Sequence, residues 1–307
     1  MSYWDPGDRP QAILVPRIEV RVNLMDELAI ATFWNSHPCG DAQVGGLNQT
    51  YRGDYERFFK DYDKFRYRYE PHIPACLDRL AVSGKQLLEV GIGEGAEAEQ
   101  LVLRGARYST IDLTPAAVDR TTTRLTLRGL PFDRIERASV LSVPWPDNSF
   151  DMVFSHGVLH HVPEIRQAQS EIRRVLRPDG ELVVMLYYRW SLNYLVAIGA
   201  LRRLAVLGAY PGRRRIRTGL LREHLLNAER DGLLHYLRMG NFVHANTDGP
   251  ANPYSKVYDL YRVREDFADF EVVDSWRTFM HAPPLPVHGL PGGNVAGWHL
   301  WARLRPR

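Results

Sequence analysis

Residues 87–95 read Leu-Leu-Glu-Val-Gly-Ile-Gly-Glu-Gly, which sets glycines at 91, 93 and 95 directly after a short apolar run. A chain without Cβ atoms at alternate positions can turn sharply and let a ligand lie against its backbone. Asp112 closes the next apolar run, about 20 residues further on, where a carboxylate can accept hydrogen bonds from both hydroxyls of a ribose. A nucleoside is the ligand implied. The glycines alone do not say which one, because the same stretch also fits the looser G-x-G-x-x-A form used for dinucleotides. A glycine loop that serves close packing only is the plain alternative, and Asp112 in this place argues against it.

A second group of residues able to do chemistry follows the fourth apolar run: Ser155-His156-Gly157, then Leu159-His160-His161. Histidine titrates near neutrality, which suits it to moving a proton during a reaction. Adjacent histidines also suggest a metal, yet no cysteine or carboxylate joins them at ligand spacing, so a zinc site is rejected and metal-free chemistry is expected. His161 is expected to cap and pack the start of the following helix.

The elements that must hold these residues alternate. Strands are predicted over 86–90, 108–112, 134–138, 150–155 and 181–187, with helices over 96–103, 115–128 and 164–176, the last stopped by Arg177-Pro-Asp-Gly180. Such alternation packs as a parallel sheet with right-handed crossovers and ligands at the strand carboxyl ends, an α/β Rossmann-like fold. After a helix-rich stretch, FEVVDSWRTF and AGWHLWARL read as two final strands forming an antiparallel hairpin. Four regions result: an arm with lid helices over 1–80, a nucleoside-binding core over 81–188, a helical cap insertion over 189–262, and final strands completing the sheet over 263–307. Within the arm, Pro6, Pro10, Pro16 and Pro38 with Gly40, Gly45 and Gly46 are expected to break up any long element.

From Leu87 to Leu186, about a third of the chain, the sequence resembles class I S-adenosylmethionine-dependent methyltransferases, particularly the branch with the quinone methyltransferases. The motifs are LLEVGIGEG, STIDLTP, VPWPDNSFDMVFSHGVLHHV and EIRRVLRPDGELVVM, four in the family's order. The resemblance implies S-adenosyl-L-methionine as cofactor, with Glu89, Gly91, Gly93 and Gly95 under its methionine part, Asp112 on the ribose and Leu113 against the adenine. Ser139, before Val140, stands where the family usually has an aspartate that accepts from the adenine amino group; a hydroxyl can still accept one bond, giving a weaker clamp. Ser155 and His156 would face the sulfonium, and His160 matches a position that in some small-molecule members orients or deprotonates the acceptor. Similar enzymes use the helices before the first strand as a lid, so Tyr67 and the Tyr69-Glu70-Pro71-His72 run are candidates for closing over cofactor or substrate. Tyr51, Tyr55, Tyr62, Tyr67 and Tyr69 could also offer aromatic faces to a carbon acceptor, and Trp34-Asn35-Ser36-His37-Pro38-Cys39-Gly40 reads as a lid or a turn.

Composition sets the outer limits. Thirty-nine Lys plus Arg against 36 Asp plus Glu leave +3, too balanced for a dedicated nucleic-acid binder. Cys39 and Cys76 exclude a disulfide scaffold and leave one bond open, and the start MSYWDPGDRP lacks the basic and apolar regions of a signal peptide, so a cytoplasmic protein is expected. The apolar stretch 192–208 contains Arg202 and Arg203 and falls short of about 20 apolar residues, so no integral membrane segment is expected. Arg202, Arg203, Arg213, Arg214, Arg215, Arg217 and Arg222 follow with no acidic residue between Glu181 and Glu223, a local positive field suited to an amphiphilic or anionic small molecule or an anionic membrane surface, or else a solvated face.

The expected activity is C- or O-methylation of a small molecule such as an isoprenoid or other secondary metabolite, with a quinone or lipid acceptor as the near alternative. A nicotinamide-dependent (NAD) oxidoreductase, marked by a parallel sixth strand, and a silent cofactor-binding module, marked by a blocked acceptor pocket, are the readings from other classes. A homo-oligomer is left open.

Overall fold

In the strand Gln86–Val90 (β1), Leu87 packs to one side of the sheet while Leu88 and Val90 pack to the other. The same two-residue alternation recurs in Phe150–His156 (β4), in Leu176–Tyr187 (β5) and in His299–Pro306 (β7). Met152, Phe154, Val183, Met185 and Trp301 join Leu87, whereas Val153, Leu182, Val184, Leu300 and Ala302 join Leu88. Two apolar faces on one sheet require helices on both sides. Ile73–Asp78 and Ala96–Leu103 cover the first face, Ile165–Val175 and Leu260–Asp266 the second.

A computed structural model describes residues 17–307, with side chains from Glu27 onward; the part of the expected arm before Arg17 lies outside the described residues. With Arg107–Asp112 as β2, Arg134–Arg137 as β3 and Phe270–Thr278 as β6, the strand order is β3-β2-β1-β4-β5-β7-β6. The first five are parallel. β7 runs antiparallel between β5 and β6, which is the closing hairpin expected from the sequence and not the parallel sixth strand of an oxidoreductase. The chain reverses its direction of winding between β1 and β4, so a crevice opens at their carboxyl ends. Because β7 is reversed, its first residue, His299, pairs with the last of β5, Tyr187, at that same edge.

Three expectations need correction. Arg17–Ser36 is one 20-residue helix, because the prolines read as breakers stand outside it and none falls within. The pairing of β4 with β5 already begins at Phe150 and Leu176, then skips Arg177–Gly180 before resuming at Met152 and Glu181, so the proline-glycine turn is a bulge inside the strand rather than its start. The insertion opens with Asn193–Arg202 wound as a π-helix, continuing through Arg203–Ala209 and Tyr210–Arg215. Gly199 permits the wide turn, since a Cβ there would lie 2.9 Å from the Tyr194 carbonyl oxygen. The continuous helix Asn193–Arg215 is thus longer than the 192–208 stretch and, among the described residues, is the one long and apolar enough by length and composition to cross a membrane.

The insertion has a core of its own, in which Ile198, Val206, Leu225, Phe242 and Trp298 meet. It begins and ends at one place: Tyr258 N–H donates to the Tyr187 carbonyl and Arg189 N–H to the Tyr258 carbonyl, both at 2.8 Å.

Candidate active site

The crevice is a cleft walled by the ends of β1, β2 and β4 and covered by the helices Arg17–Ser36 and Tyr55–Tyr69 and by the insertion. Its floor is the glycine loop. Gly91 has φ 76°, and a Cβ there would lie 2.3 Å from Val158 Cγ2, so only glycine lets the loop approach the chain leaving β4. At Gly93 an added Cβ would meet nothing nearer than Cys39 Cβ at 3.9 Å, which keeps open space above the backbone. Gly95 does not line the cleft; it starts the helix Ala96–Leu103 and lies against Thr121, so its expected cofactor contact gives way to helix packing.

Asp112 ties this loop to the next turn. Its Oδ2 accepts from Ile92 N–H at 2.9 Å and its Oδ1 from Thr114 N–H and Oγ1 at 2.8 and 2.9 Å. Burial pushes the carboxyl above its ordinary range, while these amides pull the other way. Leu113, Ala138 and Val140 add an apolar slot beside it. Ser139 is turned away: its hydroxyl donates to the Glu27 carboxylate and accepts from Leu141 N–H at 3.0 Å. Glu27, from the first helix, lines the cleft in its stead. Glu89 lies deeper, its carboxylate accepting from the Tyr108 hydroxyl, and burial raises its pKa well above the usual carboxylate range.

The residues after β4 divide between cleft and core. Ser155 is fully buried and donates to the Val90 carbonyl at 3.0 Å, stitching β4 to β1, so it is not a cleft residue. His156 does line the cleft, with Arg66 Nη2 at 3.2 Å from Nδ1. A guanidinium can only donate, so Nδ1 accepts and the ring proton sits on Nε2; burial pushes this histidine down to about 3. His160 is fully buried, its ring 3.9 Å from that of Tyr187 and neither nitrogen partnered among the described residues. Burial likewise holds it well below the ordinary range. It does not line the cleft, whereas its neighbour does.

His161 lines the cleft beneath Trp34, ring centroids 5.1 Å apart. Its Nδ1 lies 2.7 Å from the Tyr254 carbonyl oxygen, which fixes the proton of the neutral ring on Nδ1. Nε2 is left 3.4 Å from Asp248 Oδ2, while Asp248 Oδ1 accepts from the Tyr187 hydroxyl at 2.8 Å.

Tyr67 is also outside the cleft. Its hydroxyl donates to the Ala96 carbonyl at 3.0 Å, and its ring packs between two apolar clusters. Tyr62, Arg66 and Glu70, spaced by four, are the cleft-facing residues of this helix and its cap, and Tyr67 is rotated about 100° from Arg66. Arg66 donates to Glu70 at 2.9 Å and to Glu97 at 2.9 and 3.0 Å. Behind them His72 Nε2 meets His299 Nδ1 at 3.1 Å, with Glu70 Oε2 3.9 Å from the latter. Glu70, His156 and His299 bring one donor atom each within 4.8 Å of one another, a geometry a cation could occupy. Arg66 already supplies positive charge there. Cys39 at the cleft and Cys76 against Trp276 are both free thiols, which closes the disulfide question.

Seven acidic residues line the cleft against two arginines, Arg66 and Arg120. A surplus of carboxylates beside an open glycine loop, a ribose-type aspartate and an apolar slot suits a nucleoside that carries a positive charge. Glu70, Glu97 and Asp248 carry no local signal that marks them in the sequence. Trp34, Pro38 and Cys39 belong to the run rich in special residues that was read as a lid or a turn.

Comparison with known proteins agrees with this geometry. Residues 88–184 match the model of a methyltransferase domain family. An uncharacterised methyltransferase of Mycobacterium tuberculosis (strain H37Rv) is 29% identical over 141 residues, covering 43% of this chain and 70% of that protein. A phthiotriol/phenolphthiotriol dimycocerosates methyltransferase of Mycobacterium leprae is 37% identical over 106 residues, 34% of this chain and 38% of the relative. Among solved structures, an S-adenosylmethionine-dependent methyltransferase from Methanosarcina mazei shares the fold with a TM-score of 0.50 and 14% identity, over 76% of this chain and 97% of the other.

Proposed function

We propose that the chain is a class I S-adenosylmethionine-dependent methyltransferase that methylates a hydroxyl group on a largely apolar small molecule. The observation that carries the choice of a hydroxyl is the pair His161 Nε2 and Asp248 Oδ2, two acceptors 3.4 Å apart. A proton delivered between them satisfies both.

In this reading Gly91, Gly93 and Asp112 hold the loop and ribose side of S-adenosylmethionine, with Leu113, Ala138 and Val140 around the adenine. Glu27, beside Ser139, offers the carboxylate that the third strand lacks. Bound there, the cofactor supplies a methyl group already activated by its sulfonium. The protein's own work is alignment and exclusion of water, which Trp34, Tyr62 and the insertion do by covering the cleft. The acceptor's hydroxyl proton leaves to His161 Nε2, and Asp248 stabilises the imidazolium that forms. Tyr187 holds the other oxygen of Asp248 in place. Val158, Val162, Pro163 and Met185 give the acceptor an apolar wall. The M. leprae relative supports a hydroxyl acceptor, since the compound in its name is a diester of a triol and so keeps one free hydroxyl.

The test combines titration calorimetry with S-adenosylmethionine and S-adenosylhomocysteine and a screen of apolar alcohols, phenols and amines, read by mass gain of one methyl group. Methylated alcohols or phenols, lost in His161→Gln with cofactor binding kept, are the expected result. Methylation of amines alone would overturn it.

A further inference from the structure

We propose that the insertion lays the outer side of the helix Asn193–Arg215 on an anionic lipid bilayer, in the plane of the headgroups. The two sides of this helix differ. Ile198 and Val206 point inward to Leu225 and Phe242. Leu204 and Leu207, one turn apart, face outward, with Leu204 63% exposed. The helix Leu220–Asp231 packs beside it and adds Leu220, 66% exposed. Large apolar side chains gathered this way mark a surface that meets something less polar than water.

The charges name the partner. No acidic residue occurs between Glu181 and Glu223. Arg213 and Arg222 share Glu229, but Arg214, Arg215 and Arg217 are exposed and form no ion pair among the described residues. Unpaired guanidiniums that follow exposed leucines along the chain complement a surface that is apolar below and negatively charged above, which is the character of an anionic bilayer.

The same contacts decide between lying and spanning. Arg202 donates to the Pro283 carbonyl at 3.1 and 2.7 Å and to the Asn246 carbonyl at 2.7 Å, and Asn193 and Ala197 are buried. Crossing the bilayer would break these bonds and open the insertion's core, whereas lying flat uses only side chains that are already outside. Asn246 is two residues from Asp248, so the docked helix is bonded to the segment that carries this cleft residue.

The full chain is sedimented with vesicles of equal parts phosphatidylcholine and phosphatidylglycerol, and with vesicles of phosphatidylcholine alone. Binding to the first only, weakened by salt, is expected. Replacing Arg214, Arg215 and Arg217 together by Gln is expected to lower the partition coefficient on the order of 100-fold, at about fivefold per charge. Leu204→Ser with Leu207→Ser is expected to lower the partition coefficient at least about 100-fold and to leave only a weak, salt-sensitive remainder. Unchanged thermal melting and S-adenosylmethionine binding in both variants keep the test apart from folding and from the methyl-transfer reading. Equal binding to the two vesicles, or none, overturns the proposal; so does a dimer in light scattering that the leucine substitutions dissolve, since a second copy would then be what covers this face.

Discussion

His161 Nε2 stands 3.4 Å from Asp248 Oδ2, and its opposite nitrogen is held at 2.7 Å from the Tyr254 carbonyl oxygen. The first residue comes from the core and the second from the insertion, so the pair proposed to accept the proton exists only when the two parts are docked. Replacing His161 by Gln is expected to lower kcat by about 100- to 10,000-fold, the usual worth of a general base, with cofactor affinity unchanged. His160→Phe is expected to retain activity, because that ring touches Tyr187 and not the cleft. Steady-state kinetics on both variants check this, and the reverse ranking would refute it.

Asp112→Ala removes the acceptor meant for two ribose hydroxyls and also frees the amides of Ile92 and Thr114. Hydrogen bonds to a charged group contribute about 1.5–3 kcal/mol each, so affinity for S-adenosylhomocysteine is expected to fall about 100-fold or more. Calorimetric titration reads the change directly. An unchanged affinity would place the nucleoside elsewhere.

Two neighbouring glycines are expected to fail differently. Gly91→Ala sets a Cβ against Val158 at φ 76° and is expected to cost about 2–4 kcal/mol of stability. Gly93→Ala meets almost nothing in the protein but must adopt φ 51°, so it is expected to cost only about 1–2 kcal/mol while weakening the cofactor. Melting curves with and without S-adenosylmethionine separate the two effects.

Acid should loosen the cleft before it unfolds exposed parts. Burial lowers His72 to about 4 and His156 to about 3 from an ordinary 6.5, so below pH 6.5 the unfolded chain takes up protons that the folded one refuses. Their stabilisation is complete above pH 6.5 and is lost down to about pH 4 for His72 and about pH 3 for His156, at about 1.4 kcal/mol per pH unit for each ring. Burial also raises Asp63, Glu70, Glu89 and Asp112 and lifts Glu94 to about 7, which works in the opposite direction. His299, His160, His224, His244 and His281 are lowered too, so seven histidines stand against five carboxyls. Denaturant midpoints are expected to fall steadily from pH 7 to pH 5; a flat or rising profile would contradict the burial argument.

The sheet and its glycine loop are legible in the sequence because their signals are local. A short apolar run ending in glycines, or the alternation of Leu87, Leu88 and Val90, needs no knowledge of partners. The cleft's other wall depends on rotational phase. Tyr55, Tyr62, Tyr67 and Tyr69 are spread around one helix, and only packing against Ala96 and Cys39 separates Tyr67 from Tyr62. Likewise His160 and His161 share a three-residue turn too short to have a periodic face, and contact with Tyr254 picks out the second. The prolines before Arg17 and after Ser36 look like breakers throughout an arm, although together they frame one uninterrupted helix. Glu27 meets Ser139 across 112 positions, and no sequence window spans that distance.

The paired hydrogen bonds that join Tyr187, Arg189 and Tyr258 bring the two ends of residues 189–258 together at one place on the sheet. A segment pinned this way behaves as a cassette: its length and interior can be exchanged without altering the span the sheet must bridge, and doubling its length costs only about 0.6 kcal/mol in closure entropy. Asp248 travels with the cassette, whereas Asp112 and the glycine loop stay with the scaffold. Grafting another cap onto the same rung is therefore a route to new acceptors that leaves the methyl donor's seat untouched.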